Sequence, residues 1–265
     1  MSSWVPVPKI FNISTLAFTG DLIWDSAPKK PKANISIIPY IIGGGNESSS
    51  KNISSNYNAG LDMKIGISSS LNLDLTFNPD FSQVESDAGQ VDVNLRYSLF
   101  FQEKRPFFLE GQDNYNLAAM SFMYDPQIFY SRTIADPVAG AKVTGKIGSK
   151  NTLAVLYALD NVLESDRPAL GRYVHTPIVR YKRSLGDDSY VGALYTGREL
   201  ESSNNRVIGY DQYQRLSDAA SISTSGFVSS ASDGAGTPTL TGHTFGFNYG
   251  SASRDLSYNL AFREV

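Results

Sequence analysis

The chain has 265 residues, of which 18% are charged and 12% are aromatic, with 15 Tyr and 14 Phe against two Trp. That charged share lies below the ~25% of an ordinary soluble domain and suits a surface that meets lipid on one side and water on the other. The formal net charge of −3 weighs against a nucleic-acid partner, and the lack of cysteine excludes disulfide scaffolds, thiolate metal sites and thiol nucleophiles.

Residues 1–32 predict an irregular lead-in, because four prolines interrupt them: Pro6, Pro8, Pro28 and Pro31. Their start has no basic flank followed by an apolar core, so it predicts no signal peptide. If the protein is exported, we expect the sequence to have lost its beginning. No stretch reaches the ~20 apolar residues that a membrane-spanning helix needs.

Beyond this lead-in the prevailing pattern is an alternation of apolar and polar residues, which is typical of strands with one apolar and one polar face. Residues 71–78 and 92–99 alternate over their full length, and tight-turn sequences such as Gly148-Ser-Lys-Asn151 separate the runs. We predict about twelve strands, at residues 33–42, 56–67, 71–79, 91–101, 128–132, 139–148, 151–159, 173–185, 189–196, 205–216, 219–230 and, as a final pair, 239–264.

Two stretches inside this region do not resemble strands. Residues 43–55 are rich in Gly, Asn and Ser and predict an exposed loop. Residues 102–127 carry Pro106 and Pro126 beside a dense charge cluster. Compact domains rarely keep a structureless connection of that length unless it serves a purpose. We therefore expect this charged segment to fold inward as a constriction or plug.

Alternation is compatible with two all-β folds. In a soluble sandwich the apolar faces pack against each other, whereas in a membrane barrel they meet lipid. Long polar loops alternating with tight turns favour the barrel, as do charges on the polar faces that a solvated lumen accepts: Asp74, Asp92, Arg96, Lys142, Lys146 and Arg263. The predicted fold is an antiparallel up-and-down transmembrane β-barrel, present in part over residues 33–265.

The densest set of candidate functional residues lies in and around the charged segment. It mixes carboxylates with cations: Asp80, Glu85, Asp87, Glu103, Lys104, Arg105, Glu110 and Arg132. A glycosidase needs two carboxylates ~5–10 Å apart across the sugar bond. The commoner arrangement is a lumenal ion network in which Lys104 and Arg105 neutralise neighbouring carboxylates and hold the segment in place. We predict such a charge network and no catalytic residue.

Two aromatic pairs lie just before and within this segment, Phe100-Phe101 and Phe107-Phe108. Such rings can stack on sugars, but adjacent residues of a strand face opposite sides, so packing is the favoured role. The two histidines, His175 and His243, lie far apart in the sequence, and neither has a second ligand at metal spacing. We predict neither a metal site nor a cofactor.

Three sequence blocks in this region carry a family resemblance. They are Asn78-Pro-Asp-Phe-Ser-Gln-Val-Glu85-x-Asp87, Phe100-Phe101-x-Glu103-Lys-Arg-Pro-Phe-Phe-Leu-Glu-Gly111 and Phe129-Tyr-Ser-Arg132-x-Ile134. The chain resembles a family of Gram-negative outer-membrane β-barrel proteins with an unassigned C-terminal domain. It departs from that family at Gln102, where a proline is usual, and at Thr133 and Ala135, which replace an arginine and a glycine.

In that family the barrel-like domain usually follows a module similar to family 9 carbohydrate-binding domains. The resemblance implies a place in the bacterial outer membrane, contact with its lipid, and contact with glycans through an N-terminal module that this sequence lacks. No established reaction carries over to named residues. We expect a non-catalytic barrel that binds or passes glycans or other small solutes. The alternatives are a carbohydrate-active hydrolase with paired carboxylates and a soluble β-sandwich adhesion module.

Overall fold

The computed structural model describes residues 23, 25–26, 34–47, 53–81, 101–117, 128–186, 188–234, 237–253 and 255–265. The chain divides into two units, Met1–Lys32 and Ala33–Val265, and nearly all described residues belong to the second. The predicted lead-in therefore lies almost wholly outside the described residues. Within them, no helix is both long and apolar enough to span a membrane.

The described residues of the second unit form one antiparallel sheet of eleven strands, in which each strand pairs with the next along the chain. The strands are β1 (Ile35–Glu47), β2 (Ile53–Ser68), β3 (Leu71–Phe77), β4 (Pro137–Ile147), β5 (Asn151–Asn161), β6 (Tyr173–Gly186), β7 (Ser189–Glu199), β8 (Asn204–Arg215), β9 (Ala220–Ser232), β10 (Leu240–Ala252) and β11 (Ser257–Glu264). The sheet is open, with β1 and β11 at its edges. The predicted all-β, antiparallel, up-and-down architecture is confirmed at this level.

Two predicted elements differ from the structure, and a third cannot be compared. Residues 43–55 are not one loop, because ladder pairs such as Gly43 with Tyr57 extend β1 and β2 into this stretch. Cross-strand pairing outweighs the weak strand propensity of Gly, Asn and Ser. The strand predicted at 128–132 is wrong, since Ser131–Thr133 forms a 3-10 turn. The strand predicted at 91–101 lies outside the described residues except for Phe101, which is not in a strand.

The strands sort their side chains onto two faces of opposite character. On β3, Asp74 and Thr76 are buried, whereas the side chain of Phe77 is 49% exposed. We call the face that carries Asp74 and Thr76 the inner face and the opposite one the outer face. Large apolar side chains are exposed across the outer face: Ile35, Ile37, Ile41, Tyr157, Val179, Ile208, Val228, Phe245, Leu260 and Phe262. This is the reverse of the usual arrangement in a water-soluble protein.

Charged side chains follow the same division. Mid-strand charges of the described strands point to the inner face: Asp62, Lys64, Asp74, Lys142, Arg180 and Asp211. On the outer face, the charged residues of the described strands lie near strand ends: Arg183, Glu199, Arg206 and Glu264. The middle of the outer face is therefore an uncharged band.

The buried apolar cluster lies on the inner side of the sheet. Small and branched residues of β5–β7 form an apolar patch there, and Phe108, Tyr115 and Ile134 from the connection between β3 and β4 belong to the same cluster. The longest connection of the sheet thus packs on its inner face and leaves the outer face uncovered by described residues.

Candidate functional site

Residues 101–117, here called the inner segment, take up a compact conformation that their sequence explains. Pro106 begins the one-turn helix α1 (Pro106–Leu109), where its missing N–H costs nothing. Gly111 then adopts a left-handed conformation with φ of 74°, and a Cβ atom there would lie 2.9 Å from the Thr144 hydroxyl oxygen. A 3-10 turn over Gln112–Tyr115 follows. Glycine at position 111 therefore lets the segment approach β4 closely.

A buried ion pair between Glu103 and Arg105 is the centre of the segment. The Arg105 Nε donates to Glu103 Oε1 at 2.9 Å, and Nη2 donates to Oε2 at 2.8 Å. The Arg105 backbone N–H adds a bond of 2.9 Å, and the Ser131 hydroxyl donates to Oε2 at 2.6 Å. The carboxylate is thus paired in the two-pronged geometry that arginine favours and is further hydrogen-bonded from both sides.

The Arg105 guanidinium also ties the inner segment to the stretch that precedes β4. Its Nη1 donates to the Ile134 carbonyl at 2.6 Å, and its Nη2 donates to the Ser131 carbonyl at 2.9 Å. The ring of Phe108 lies 4.3 Å from the guanidinium carbon and that of Phe81 lies 5.1 Å from it. One side chain therefore joins residues that are nearly 30 positions apart, with aromatic faces covering the cation.

The acidity of Glu103 follows from these contacts. Burial by itself acts to raise the pKa of the Glu103 carboxyl, but the hydrogen bonds from Arg105 and Ser131 outweigh it. The pKa of Glu103 therefore lies below its ordinary value of 4.5. Glu103 is ionised at neutral pH and cannot act there as a proton donor.

Three inner-face cations of the sheet contact the inner segment directly. Lys142 Nζ donates to the carbonyls of Phe107 at 2.5 Å and Glu110 at 2.7 Å, and lies 3.4 Å from the Asp74 carboxylate. Lys64 forms an ion pair with Glu110.

Farther along the sheet, Arg180 Nη2 donates to the Asn116 carbonyl at 3.4 Å. Arg180 is fully buried and pairs with Asp211, whose second partner is the Tyr190 hydroxyl at 3.2 Å. Strands β2, β4 and β6 thus each supply one cation to the inner segment, with Lys64 and Lys142 at Glu110 and Arg180 at Asn116.

A cavity of about 210 Å³ lies between the inner segment and β1–β4. Five of the residues around it are ionisable: Asp62, Lys64, Asp74, Glu110 and Lys142. In the part of the chain that the structure describes, no group of three or more Asp, Glu, His or Cys side chains could hold a metal ion. The two histidines lie apart: His175 contacts the Tyr157 hydroxyl at 2.5 Å, and His243 lies 3.8 Å from Glu264.

The structure pairs some of the predicted site residues and places others elsewhere. Glu103 and Arg105 pair, Glu110 meets Lys64, and Lys104 and Arg132 are half-buried. Asp80 lies just after β3, where its backbone N–H donates to the Tyr40 hydroxyl at 3.1 Å. Glu85, Asp87 and Phe100 lie outside the described residues.

Packing is the predicted role of the aromatic pairs, and the structure describes Phe107 and Phe108 as one such pair and Phe101 of the other. Phe107 and Phe108 lie on α1, where their rings pack edge to face with centroids 5.1 Å apart. A helical turn allows both rings to face the same cluster, which neighbouring strand residues cannot do. Phe101 precedes the helix, and its backbone N–H donates to the Tyr130 hydroxyl at 2.9 Å.

Sequence reasoning did not single out Arg180 and Asp211. The signal for them was present, since Arg180 occupies an inner position in the alternation of β6 and Asp211 does so in β8. Their pairing is visible only once the sheet register brings β6, β7 and β8 together, with Gly192 between the two side chains leaving room for the guanidinium.

Part of the chain matches a known family model. Residues 31–154 match a family model described as a domain of unknown function, DUF5916, which is a little under half of the chain. The match spans β1 to the first part of β5 and includes all three sequence blocks between Asn78 and Ile134. No curated protein and no solved structure matches the chain.

Replacing Arg105 with Ala is expected to release the inner segment. Glu103 would then remain buried without its cation, a change that costs about 3–5 kcal/mol. Hydrogen–deuterium exchange of residues 101–117 should speed up while exchange in β5–β7 changes little. Arg206→Ala serves as the matched control, because it removes a two-pronged bond to Glu199 from an exposed pair and should cost at most about 1 kcal/mol. Unchanged exchange in the segment would contradict the role given to Arg105.

The stability of the inner segment's conformation is also expected to depend on pH. Because the pKa of Glu103 is lowered by folding, its stabilising contribution is complete above about pH 4.5 and disappears as the pH falls below that value. In the native protein, exchange protection of residues 101–117 should fall with acidification in this range. In Glu103→Gln it should be weaker at pH 7 and nearly independent of pH from 3 to 6. If the exchange protection fell equally with acidification in the native protein and in Glu103→Gln, an ionisable group other than Glu103 would be responsible.

Proposed function

We propose that the described sheet is the wall of an outer-membrane β-barrel whose interior holds the inner segment and which binds or passes glycans or other small polar solutes without catalysis. The observation that carries the proposal is the exposed apolar outer face, uncharged at mid-strand, behind a buried polar inner face. Lipid solvates such an outer face at no cost, whereas water does not.

The position of the apolar band gives a second argument. Cross-strand partners connect Ile35 on β1, through Ile65, Leu73 and the strands between, to His243 on β10. On β1 the outward-facing apolar residues extend from 35 to 41, and Ile35 is at the end nearest the short connections between strands. On β10 they extend from 245 to 249, and His243 lies beyond the opposite end, nearest the long connections. The band therefore shifts by about seven residues over nine strand-to-strand steps, which for ~3.3 Å per residue and ~4.8 Å per strand is a tilt of ~30°. Strands of membrane barrels tilt by a similar ~35–45°.

The connections supply a third argument. At one end of the sheet, two to four residues join consecutive strands; at the other end the connections range from four to 59 residues. Outer-membrane barrels show this asymmetry, with short turns in the periplasm and long loops outside the cell. In this proposal the inner segment belongs to the longest outside loop. Because lipid cannot satisfy unpaired strand edges, the edges of β1 and β11 must also be paired in the membrane, by each other or by further strands.

The alternatives receive less support from the same contacts. A hydrolase needs two carboxylates free to exchange protons, but Glu103 is bound by Arg105 and Glu110 by Lys64. A soluble sandwich needs its apolar faces to cover one another, whereas here the apolar cluster forms on the inner side, beneath the inner segment. Both observations favour a non-catalytic barrel.

Contact of the outer face with lipid can be tested by cysteine labelling, since the chain has no cysteine of its own. Ile208 is 60% exposed in the outer face. In outer-membrane vesicles, Ile208→Cys should resist a charged, water-soluble maleimide and react with an uncharged, lipid-soluble one. The exposed loop variant Ser165→Cys should react with both. Equal labelling of the two variants by the charged reagent, or recovery of the protein from cells without detergent, would contradict the membrane proposal.

The orientation of the sheet is a separate expectation. Ser149, in the tight turn between β4 and β5, and Ser165, in the connection after β5, lie beyond opposite ends of the same strand. In intact cells the charged maleimide should label Ser165→Cys and spare Ser149→Cys until the outer membrane is permeabilised. The opposite pattern would reverse the orientation while leaving the membrane proposal intact.

A further inference from the structure

A second cavity, of about 340 Å³, lies on β8–β11 and differs in character from the charged cavity beside the inner segment. Its lining contains no Asp, Glu, Lys, Arg or His. Its polar side chains are hydroxyls and amides, among them those of Tyr213, Ser221, Ser223, Asn248, Ser257 and Asn259. The volume is near the lower limit of ~300–1,000 Å³ for small-molecule sites.

Two neighbouring residues of this cavity present polar side chains to an occupant. Ser223 is only 4% exposed and belongs to the lining of the cavity. Beside it, Asn248 is 7% exposed and accepts a bond of 2.7 Å from the Asn259 amide. An occupant that displaces water from this cavity has to exchange hydrogen bonds with these side chains, because a polar group left unsatisfied in a filled cavity is unfavourable.

The lining also restricts the chemistry of that occupant. An ionised ligand would meet no opposite charge among the lining residues, and an apolar ligand would leave the hydroxyl of Ser223 unsatisfied. The ring of Tyr213 borders the cavity and is held in a nearly parallel stack with Tyr190, at a centroid distance of 6.4 Å. An aromatic face next to hydroxyls and amides fits a molecule that has both C–H and O–H groups on its surface.

We propose that this cavity binds an uncharged polyhydroxylated ligand, such as a neutral oligosaccharide, with Ser223 and Asn248 as hydrogen-bonding groups and Tyr213 as the stacking surface. The inference rests on the proposed function, since it makes the inner face of the barrel wall the binding surface. It goes further in naming the place and the charge class of the ligand.

The test is a binding titration of the full chain in detergent micelles with maltohexaose and cellohexaose as neutral probes and trigalacturonate as an anionic one. Isothermal titration calorimetry should show binding of at least one neutral probe and no binding of trigalacturonate. Loss of one hydroxyl contact in Ser223→Ala should weaken binding about five- to tenfold. Tyr213→Ala should weaken it at least as much.

Ser225→Ala is the matched control, because Ser225 lies two residues along the same face of β9 and outside the cavity. It should leave the affinity unchanged. Absence of binding by both neutral probes at millimolar concentration would overturn the proposal, as would equal binding of trigalacturonate or affinities indifferent to Ser223→Ala and Tyr213→Ala. Ser223→Thr, which keeps the hydroxyl and adds bulk to the cavity, should also weaken binding if Ser223→Ala fails to fold. The Ile208→Cys labelling reports on the membrane proposal independently of these results.

Discussion

The structure depends on one constraint, the inversion of the usual distribution of polar and apolar side chains across the sheet. Buried positions hold Asp74, Lys142 and Arg180, whereas isoleucine, leucine and tyrosine side chains cover the other side. Burying these charges is tolerable only because each has an opposite partner or a carbonyl within reach. Leaving the apolar side chains uncovered is tolerable only if the medium around them is not water.

The inner segment shows how such a sheet can hold an internal element without a large apolar core. Phe108 and Tyr115 pack on the apolar patch of β5–β7, and this contact attaches the segment to the sheet without fixing its orientation. Lys142 and Arg180 fix the orientation of the segment, because each donates to particular backbone carbonyls of it. The Glu103–Arg105 pair then makes the segment rigid from within. Since this hold depends on ionised groups, it is more sensitive to charge removal than a purely apolar contact would be.

Much of the sheet could be predicted because alternation is a local property. β3 and the hairpins around residues 148–151 and 185–189 follow directly from which residues are apolar and which favour turns. The prediction failed where long-range contacts overrule local preference. Glycines at 43–45 join β1 because β2 lies beside them, and Arg105 binds the Ser131 carbonyl of the Ser131–Thr133 turn. The candidate site was predicted in part for the same reason: Glu103 and Arg105 are neighbours in sequence, but their partners Ser131 and Ile134 are not.

Residue order alone specified a sheet with one apolar and one polar face, since side chains alternate along any extended chain. It also specified the charged character of the stretch around residue 103. Which face is buried was decided by the fold, because the connection between β3 and β4 packs on the polar side. The pairing of Arg180 with Asp211 and the uncharged cavity on β8–β11 were decided by the fold as well, through the register of strands distant in sequence. Alternation describes one strand at a time, whereas a site requires several strands at a fixed register.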